Sequence, residues 1–578
     1  MNSDTVFLPK QHQAAFQGEA DRLCRLIQEL QLKDEALWPI LERQFADRPD
    51  VADKGWRGEF WGKLMRGGVV TYQYTRDEAL YTILEESVRR MLRLQDDRGV
   101  FSTYTPELEL CGWDMWCRKY ILLGMEYFLE ICKDSTLSQA IIDALCRHLD
   151  AIMEKVGPGK LDITLTSHRW EGLNACSILE PVVWLYRLTN QQKYLDFAAY
   201  IVSTGGIVSD NLIELSLQGQ APYQFPVTKA YEMMSFFEGV LEYYRVTGEE
   251  RYRTAVENLA KSILVTDVTV IGSCGCHSEQ FDNSAKTQTN AENKMIMQET
   301  CVTVTWMKVC WQLYRLTGEK VWLDQIERSA VNGLYGSINT DGREENFGLP
   351  FDSYSPLIQL PRGRKTGGKK SIDGDRIYGC CAAIGAMGMG LVPLAAVTAD
   401  KEGLRLGFYF PGTVQTVTPQ GHPVTLQMEK TETTDAQKVK IRISCEEENF
   451  TLRLRKPDWA GTVTLDRQAE EENGWLVLGG AWKDDTIEVT LTTPLMIQRQ
   501  DGFAALRHGP HMLARDVRCG EDLSAPMAIS QDAVLTETTA PFPTEKAFKL
   551  GDVTLCDYAS CGKTWNAESI TSVWLKEK

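Results

Sequence analysis

A repeated junction between helices is the feature that most constrains how this chain can fold. Three segments share it, each with an amphipathic helix end, a threonine, a stop residue and a new helix: WLYRLTNQQKYLDFA from Trp184, EYYRVTGEERYRTAV from Glu242 and QLYRLTGEKVWLDQI from Gln312. A fainter copy starts at Tyr127. The stop residues Asn190, Gly248 and Gly318 are of the types that adopt a left-handed conformation after a helix. The pattern therefore predicts a series of helical hairpins.

Helical hairpins of this kind must stack, because one hairpin alone leaves its apolar stripe exposed to water. An open solenoid or a closed α/α toroid would meet this requirement. The number of repeats and the long loops between them favour the toroid. We predict an (α/α)6 toroid over residues 1–398, and the candidate catalytic residues described below all fall within it.

Beyond Thr398 the hydrophobic pattern changes to an alternation with a period of two. Segments such as GLRLGFYF, PVTLQME, KVKIRISC and TIEVTLTT are separated by turns rich in Gly, Asp, Glu and Asn. Many short strands at near-regular spacing are typical of an antiparallel β-sandwich. We predict a jelly-roll-like sandwich over residues 399–500. Residues 501–578 are expected to complete it or to form a second small β region.

The formal net charge of −17 argues against two classes of partner. Nucleic acids and anionic membrane surfaces both favour a basic face, so neither is expected here. The most apolar run, 382–397, is shorter than the about 20 residues of a membrane span and is predicted to be a core helix. The N-terminal sequence lacks a signal-peptide pattern. We therefore expect a cytoplasmic protein whose 16 cysteines are mostly reduced.

Two distant pairs of residues have the chemistry of a metal site. Glu299 and Cys301 share the segment QETC, and Cys380 and Cys381 are adjacent in YGCC. Because neighbouring side chains diverge on strands and helices, we expect an irregular loop at the cysteine pair, helped by Gly379, with a helix starting there. Glu299 and Cys301 would point to the same side of an extended segment that precedes a helix beginning near residue 302. One carboxylate and three thiolates suit Zn²⁺. The alternative is four independent residues, with Glu299 as a helix-terminal carboxylate.

The segment GSCGCHSEQF holds two further candidates. Cys274, Cys276 and His277 are zinc-binding residue types, but their spacing is tight and no second pair lies nearby. A glycine-rich loop with incidental thiols is the preferred interpretation. Glu279 lies in the same loop beside an aromatic residue. It would act as an acid if it lines a pocket, whereas a solvated surface carboxylate is the plainer interpretation.

These motifs, in this order, resemble the β-L-arabinofuranosidase family, glycoside hydrolase family 127 and its close relatives. The similar elements of the helical half are a Gly-rich loop with Glu-x-Phe, a Glu-Thr-Cys motif, a partly matched Tyr-x-x-Pro-Leu element and a cysteine pair, at Glu279, Glu299, Tyr354 and Cys380. The β half adds FTLRLRKPDWAG, a Trp-Lys-Asp-Asp turn and an Arg-His-Gly-Pro element. The resemblance extends over residues 67–515.

The resemblance implies a retaining glycosidase with a cysteine nucleophile. Glu299, Cys301, Cys380 and Cys381 would hold Zn²⁺, and Cys380 would attack the anomeric carbon. Glu279 would protonate the leaving oxygen and then deprotonate water. The implied substrate is a β-L-arabinofuranoside or a related small glycoside.

The expected sugar pocket departs from the family pattern, which has several histidines on the inner helices. This chain has seven histidines in all. Beside Tyr354, which would line the site, the corresponding segments offer aromatic and charged side chains: Trp113, Asp114, Trp170, Glu171 and Lys229. They would give a sugar stacking faces and polar partners, with core packing as the alternative for the two tryptophans. Lys229 raises an acidic sugar as an alternative substrate.

Two other interpretations stay open. A sugar epimerase or lyase on the same toroid would use a His or Tyr base and would not need Cys380. A non-enzymatic protein would combine a structural zinc, closed by four protein ligands, with a carbohydrate-binding sandwich. In that case Glu279 would lie far from the cluster. The expected partner is a small glycoside or oligosaccharide, and a homodimer through the β-sandwich is an open alternative.

Overall fold

The structure is a computed structural model of the 578-residue chain. It describes residues 4–9, 11–51, 54–290, 292, 297–340, 348–357, 368–565 and 569–578. Its α-helices are α1 (Glu19–Ile27), α2 (Leu37–Asp47), α3 (Gly58–Thr75), α4 (Glu78–Leu92), α5 (Asp114–Leu129), α6 (Ser135–Lys155), α7 (Leu173–Cys176), α8 (Leu179–Thr189), α9 (Gln192–Ser203), α10 (Leu212–Leu217), α11 (Ala230–Thr247), α12 (Glu250–Thr266), α13 (Ser284–Thr287), α14 (Thr300–Thr317), α15 (Lys320–Arg328), α16 (Cys380–Leu394) and α17 (Tyr558–Lys563). Over these described ranges, every helix is too short or too polar to cross a lipid bilayer.

Six of the helices in the described part of the chain form a closed ring. The helices α3, α5, α8, α11, α14 and α16 contact one another in that order, and α16 returns to α3. An outer helix packs against each of them: α4, α6, α9, α12, α15 and, for α16, α1. The apolar run predicted as a core helix forms α16, which is buried along almost its whole length. The predicted toroid is therefore confirmed.

Left-handed residues end three of the inner helices, as the repeat predicts. Asn190 after α8, Gly248 after α11 and Gly318 after α14 have φ angles of 53°, 74° and 72°. The amide of each donates a hydrogen bond of 2.7–2.8 Å to the carbonyl of the repeat's tyrosine four residues earlier. The chain then reverses into the outer helix. Because inner and outer helices alternate, the inner helices run parallel, with their N-termini at one end of the toroid.

Two β-sheets make up most of the chain after α16. The strands are β1 (Gln13–Phe16), β2 (Met297–Glu299), β3 (Tyr354–Pro356), β4 (Lys369–Asp373), β5 (Arg376–Gly379), β6 (Val397–Ala399), β7 (Gly403–Leu406), β8 (Gly412–Val417), β9 (Pro423–Glu432), β10 (Ala436–Arg455), β11 (Val463–Leu465), β12 (Glu470–Glu472), β13 (Trp475–Thr492), β14 (Leu495–Gln500), β15 (Phe503–His508), β16 (His511–Asp516), β17 (Thr536–Glu537), β18 (Ala547–Leu550), β19 (Val553–Asp557), β20 (Thr571–Ser572) and β21 (Trp574–Lys576). The main path of the first sheet is β1-β8-β9-β10-β13-β11, and that of the second is β14-β15-β16-β19-β18-β17. Pairing is antiparallel, as predicted, except that β7 lies parallel to β10.

Strand β1 joins the first sheet from the other end of the chain. Gln13 lies opposite Gln415, and Phe16 lies opposite Gly412. We predicted this segment to be part of the helical region. A four-residue strand whose partner is hundreds of residues away cannot be recognised from the neighbouring sequence. Helix α1 follows directly and packs on α16. The N-terminal segment thus connects the first sheet to the toroid.

Candidate active site

Four side chains converge where the N-termini of two adjacent inner helices meet. Glu299 ends β2 and caps α14, Cys301 lies in the first turn of α14, and Cys380 and Cys381 begin α16. Their donor atoms lie within 4.8 Å of one another. Sγ of Cys381 is 3.1 Å from Oε1 of Glu299 and 3.2 Å from Sγ of Cys301. The structure therefore brings together the two pairs that are distant in sequence.

The helix starts explain how adjacent side chains face one centre. The expected irregular loop at the cysteine pair is wrong: Gly379 ends β5 in an extended conformation, and α16 begins at Cys380 itself. In a first helical turn there is no preceding turn to restrict the side chains, so both sulfurs can point the same way, 3.9 Å apart. The expected helix start at this pair is confirmed. Helix α14 begins at Thr300, slightly earlier than predicted.

Glu299 both caps a helix and faces the cluster, the two roles that its sequence context left open. Its Oε2 accepts a hydrogen bond of 2.8 Å from the amide of Val302, as a helix cap does. Its Oε1 faces Cys381 in the cluster. The N-termini of α14 and α16 both carry partial positive charge, which stabilises carboxylates and thiolates.

The donor set fits a zinc ion. Three thiols and one carboxylate match the ligands that Zn²⁺ prefers. Hydrogen bonds from Cys301 and Cys381 hold the pKa of Cys380 well below its ordinary value, whereas burial raises the pKa of Glu299, Cys301 and Cys381 well above theirs. Four acids at these distances, three of them buried, cannot all ionise unless a cation compensates them. The chemistry of the cluster is therefore that of a divalent metal site.

Glu279 lies on a tight turn that is fixed to the start of α11. Ser278 and Glu279 both have positive φ, 54° and 65°, and the amide of Gln280 donates to the carbonyl of His277 at 3.1 Å. These are the features of a type I′ turn, which L-residues adopt only at some cost. The amide of Ala230 in α11 donates to the carbonyl of Glu279 at 3.0 Å. The turn therefore has one well-defined position relative to the toroid.

The carboxylate of Glu279 is connected to the cluster through Tyr354. The hydroxyl of Tyr354 and the ammonium of Lys229 both donate to it. In the β2–β3 pair, Tyr354 lies directly opposite Glu299. Burial raises the pKa of Tyr354 well above its ordinary value, and the nearby carboxylates raise it further, so the hydroxyl keeps its proton. Glu279 is thus held beside the cluster and not out in solvent.

Lys229 and Trp170 lie next to each other, as expected for a pocket. Nζ of Lys229 is 5.3 Å from the ring centroid of Trp170, within the range of a cation–π contact. Burial lowers the pKa of Lys229, but the carboxylates of Glu232 and Glu279 more than offset this and raise it. The ammonium is therefore charged and paired within the chain, which weakens the case for an acidic sugar.

Asp114 and Glu171 have local partners. Asp114 is fully buried at the start of α5 and accepts hydrogen bonds from the amide of Leu110 at 2.8 Å and from Arg118 at 2.9 Å. Glu171 accepts a hydrogen bond of 2.9 Å from the amide of Ser209. These contacts stabilise the neighbouring backbone, and direct substrate contacts of both residues stay a prediction.

Behind Trp113 lies an ion pair that the sequence analysis missed. Trp113 is half-buried and edge-on to Trp116, with ring centroids 6.0 Å apart. The indole N–H of Trp116 donates to Glu59, whose Oε2 lies 3.1 Å from Nζ of Lys63. Burial raises the pKa of Glu59 to about 7. Nζ of Lys63 also lies 4.5 Å from the ring centroid of Tyr231.

The ammonium group of Lys63 in this ion pair affects the cluster through its positive charge. The positive charges of Lys63 and Lys229 further lower the pKa of Cys380. The sequence feature that could have indicated this ion pair is a Glu and a Lys four residues apart in GEFWGKLM, an otherwise largely apolar stretch. Pairs at this spacing are common on exposed helix faces, so the sequence alone did not single this one out.

The side chains of the competing CGCH candidate do not converge on one centre. Cys274 and Cys276 are buried, whereas the side chain of His277 is largely exposed and lies 3.7 Å from Asp282. Among the residues that the structure describes, the donor atoms with metal-site spacing are those of the Glu299 cluster. The interpretation of incidental thiols in a glycine-rich loop is consistent with this arrangement.

Comparisons with known proteins agree with this architecture. The family profile described as the GH127 β-L-arabinofuranosidase catalytic domain matches residues 15–357, and the GH127 middle-domain profile matches residues 403–495. The solved GH127 β-L-arabinofuranosidase Ara127N of Geobacillus stearothermophilus T6 superposes with a TM-score of 0.75 at 16% identity, covering 98% of this chain and 100% of that one. The GH127 β-arabinofuranosidase BT3674 superposes with a TM-score of 0.76 at 15% identity, covering 100% of this chain and 99% of that one. No curated protein sequence matches the chain.

The family profile defines the class of this protein as a glycosidase, and the helical toroid, the Glu-Cys₃ cluster and the antiparallel sheets agree with that class. The catalytic-domain profile alone covers more than half of the chain. The chain belongs to the β-L-arabinofuranosidase family, glycoside hydrolase family 127.

Proposed function

We propose that this glycosidase is a retaining enzyme with Cys380 as nucleophile and Glu279 as acid and base. The observation that carries the proposal is the convergence of the Glu-Cys₃ cluster, with Glu279 held beside it by Tyr354. An isolated structural zinc site would not require a partly buried carboxylate on a strained turn next to it.

Glu299, Cys301, Cys380 and Cys381 would hold a Zn²⁺ ion, whose charge would keep the thiols ionised at neutral pH. The chain adds positive potential of its own at Cys380, from the N-terminus of α16 and from Lys63. Cys380 is the half-buried member of the cluster, whereas the other three are buried, so its sulfur is the one that a substrate can reach, which supports its assignment as the nucleophile.

In the first step, the Cys380 thiolate attacks the anomeric carbon while the protonated carboxyl of Glu279 gives its proton to the leaving oxygen. A carbon–sulfur bond forms, the glycosidic bond breaks, and the alcohol departs. The sugar stays attached to Cys380. Most retaining glycosidases use two carboxylates in these roles, and here a thiolate replaces one of them.

In the second step, the Glu279 carboxylate removes a proton from water, and the water oxygen attacks the anomeric carbon. The carbon–sulfur bond breaks and the Cys380 thiolate is released. Two inversions give net retention of configuration. Lys229 and Tyr354 both donate to the carboxylate, which is the arrangement that its ionised form needs for this step.

The proposed substrate is a β-L-arabinofuranoside or a related small glycoside. The family match supports this choice, and Trp170 provides an aromatic face beside Lys229, which donates to the acid. An acidic sugar has less support, because Lys229 already pairs with Glu279. The acidic charge and the 16 free thiols suit a cytoplasmic enzyme acting on small glycosides. A homodimer stays a prediction.

The test is covalent trapping combined with a substrate panel. A cyclophellitol-type or haloacetamide sugar analogue should add one label to Cys380, located by peptide mass spectrometry and absent from Cys380→Ser. Nitrophenyl glycosides of pentofuranose, hexopyranose and uronic acid sugars should identify the preferred ring, with zinc measured in the same samples. The proposal fails if Cys380→Ser keeps parental activity, which would favour a reaction that needs only a His or Tyr base.

A further inference from the structure

Three cysteines in and beside the second sheet have no part in the proposed reaction. Sγ of Cys519 is 3.7 Å from Sγ of Cys556, and the thiol of Cys556 also interacts with that of Cys561. Cys519 ends a short 3₁₀ turn after β16, Cys556 lies in β19, and Cys561 lies in α17. The fold thus brings the sulfurs of Cys519 and Cys556 together although the two residues are 37 positions apart.

The three thiols differ in their access to solvent. Cys519 is half-buried and is followed by the exposed Gly520, whereas Cys556 and Cys561 are buried. A small oxidant that arrives from solvent therefore meets Cys519 first, and Cys556 lies directly behind it.

The contact between the two sulfurs also affects their reactivity. A hydrogen bond from the Cys556 thiol, together with the charge of Arg518, lowers the pKa of Cys519 although burial opposes this. The same contact raises the pKa of Cys556, and Cys561 and burial raise it further. The thiolate is the form that peroxides oxidise. Cys519 is therefore the reactive thiol of the pair, and Cys556 is its protonated neighbour.

Arg518 holds the turn of Cys519 against α17. Its guanidinium donates a hydrogen bond of 3.0 Å to the carbonyl of Cys561 and one of 2.7 Å to the carboxylate of Asp516. Asp516 also accepts a hydrogen bond of 2.9 Å from the amide of Arg518. The turn is thus fixed beside β19. For a disulfide, the two sulfurs must approach from 3.7 Å to about 2.0 Å, which is within the reach of side-chain rotation.

A metal ion is a poorer explanation for this group of thiols. Over the described ranges, the three sulfurs do not have the mutual spacing of metal ligands. Cys519 and Cys556 instead have the arrangement of a redox-sensing thiol and the cysteine that resolves it, in which one is accessible and the other is adjacent. Disulfides of this kind form transiently in otherwise reducing compartments.

We propose that Cys519 and Cys556 are a reversible, peroxide-sensitive disulfide site. The Cys519 thiolate attacks one oxygen of hydrogen peroxide, the O–O bond breaks and hydroxide leaves, so that Cys519 becomes a sulfenic acid. The thiol of Cys556 then loses its proton and attacks this sulfur, an S–S bond forms, and the S–O bond breaks with loss of water. In total, two thiols are oxidised and one peroxide is reduced to water. A dithiol reverses the change by thiol–disulfide exchange.

The test is oxidation of the full chain with hydrogen peroxide, followed by alkylation of the remaining thiols and peptide mass spectrometry. We expect a cross-linked pair of peptides that holds Cys519 and Cys556 and that dithiothreitol separates again. Cys445 is the matched control, because it is also half-buried but lies in β10 with its thiol 3.3 Å from the carbonyl of Trp482. Burial raises the pKa of Cys445, so Cys519 should be consumed at least about 10-fold faster.

Variants separate the two steps of the oxidation. Cys556→Ser should leave Cys519 as a sulfenic acid that a cyclic dione probe labels, whereas Cys519→Ser should leave Cys556 reduced. Cys561→Ser should keep the cross-link. Circular dichroism of the reduced variants shows whether each is folded, and Cys519→Ser, at a half-buried position, is the variant expected to disturb the fold least. Equal oxidation rates of Cys519 and Cys445 would overturn the proposal, and so would a disulfide that joins Cys556 to Cys561 in place of Cys519.

Discussion

A methyl group added at Gly368 tests the position of Cys380 without changing a donor atom. Gly368 has a φ of +57°, and its carbonyl accepts a hydrogen bond of 3.3 Å from the amide of Cys380. The Cβ atom of Gly368→Ala would point at Sγ of Cys380 and lie about 1.5 Å inside the ordinary contact distance of about 3.5–4.0 Å. The sulfur must therefore move by about 1 Å, a displacement that lowers reaction rates on the order of 100-fold.

Gly374→Ala is the matched control. Gly374 lies in the turn between β4 and β5 with a φ of +52°, and a Cβ there would meet nothing within 4 Å. The left-handed conformation costs about 1–2 kcal/mol in both variants, so the comparison isolates the contact with the sulfur. We expect kcat/KM for a nitrophenyl glycoside to be about 100-fold lower for Gly368→Ala, or about 2.7 kcal/mol in activation free energy. Equal kcat/KM in the two variants, at equal zinc content, would refute the placement of Cys380 in the reaction.

Other substitutions test the acid, the donor set and the loop of Glu279. Tyr354→Phe removes a hydrogen bond to Glu279, so kcat should fall about 10–100-fold with zinc content unchanged. Cys301→Ser should reduce bound zinc well below one ion per chain by elemental analysis, while Cys445→Ser, in the first sheet, should not. Asp267 accepts a hydrogen bond of 3.0 Å from the amide of Asp282, in the loop that carries Glu279. Burial raises the pKa of Asp267 from 3.8 to about 6, so its contribution to stability is complete below about pH 4 and is lost as the pH rises to about 6. Asp267→Asn is uncharged throughout and should show a flatter unfolding temperature between pH 4 and 7; an unchanged pH dependence would contradict this.

The sequence predicted those features that depend on local chemistry. The left-handed caps at Asn190, Gly248 and Gly318 follow from residue type, and they define where inner helices end. The donor pairs were also recognisable, because Glu299 with Cys301 and the two adjacent cysteines are unusual combinations. That the two pairs lie close together in space was not recognisable, because it depends on α14 and α16 being neighbours in a closed ring. The family resemblance supplied that information, and the local pattern did not.

What the sequence could not predict depends on contacts between distant segments. Glu59 and Lys63 have the four-residue spacing of an ordinary surface pair, yet the ring of inner helices buries both. A side chain's role in these cases depends on which helix face points to the toroid axis. Helices that are apolar on nearly every side give no periodicity from which to read that face.

The arrangement of three neighbouring inner helices explains why the proposed nucleophile and the proposed acid lie close together. Helices α11, α14 and α16 are consecutive in the ring and run parallel, so donors in their first turns all lie at one end of the toroid. The first turn is also where free N–H groups stabilise anions, so geometry and electrostatics favour the same positions for Cys301 and Cys380. Glu279 comes instead from a turn fixed to the start of α11. Changes in that turn can therefore move the proposed acid without disturbing the cluster.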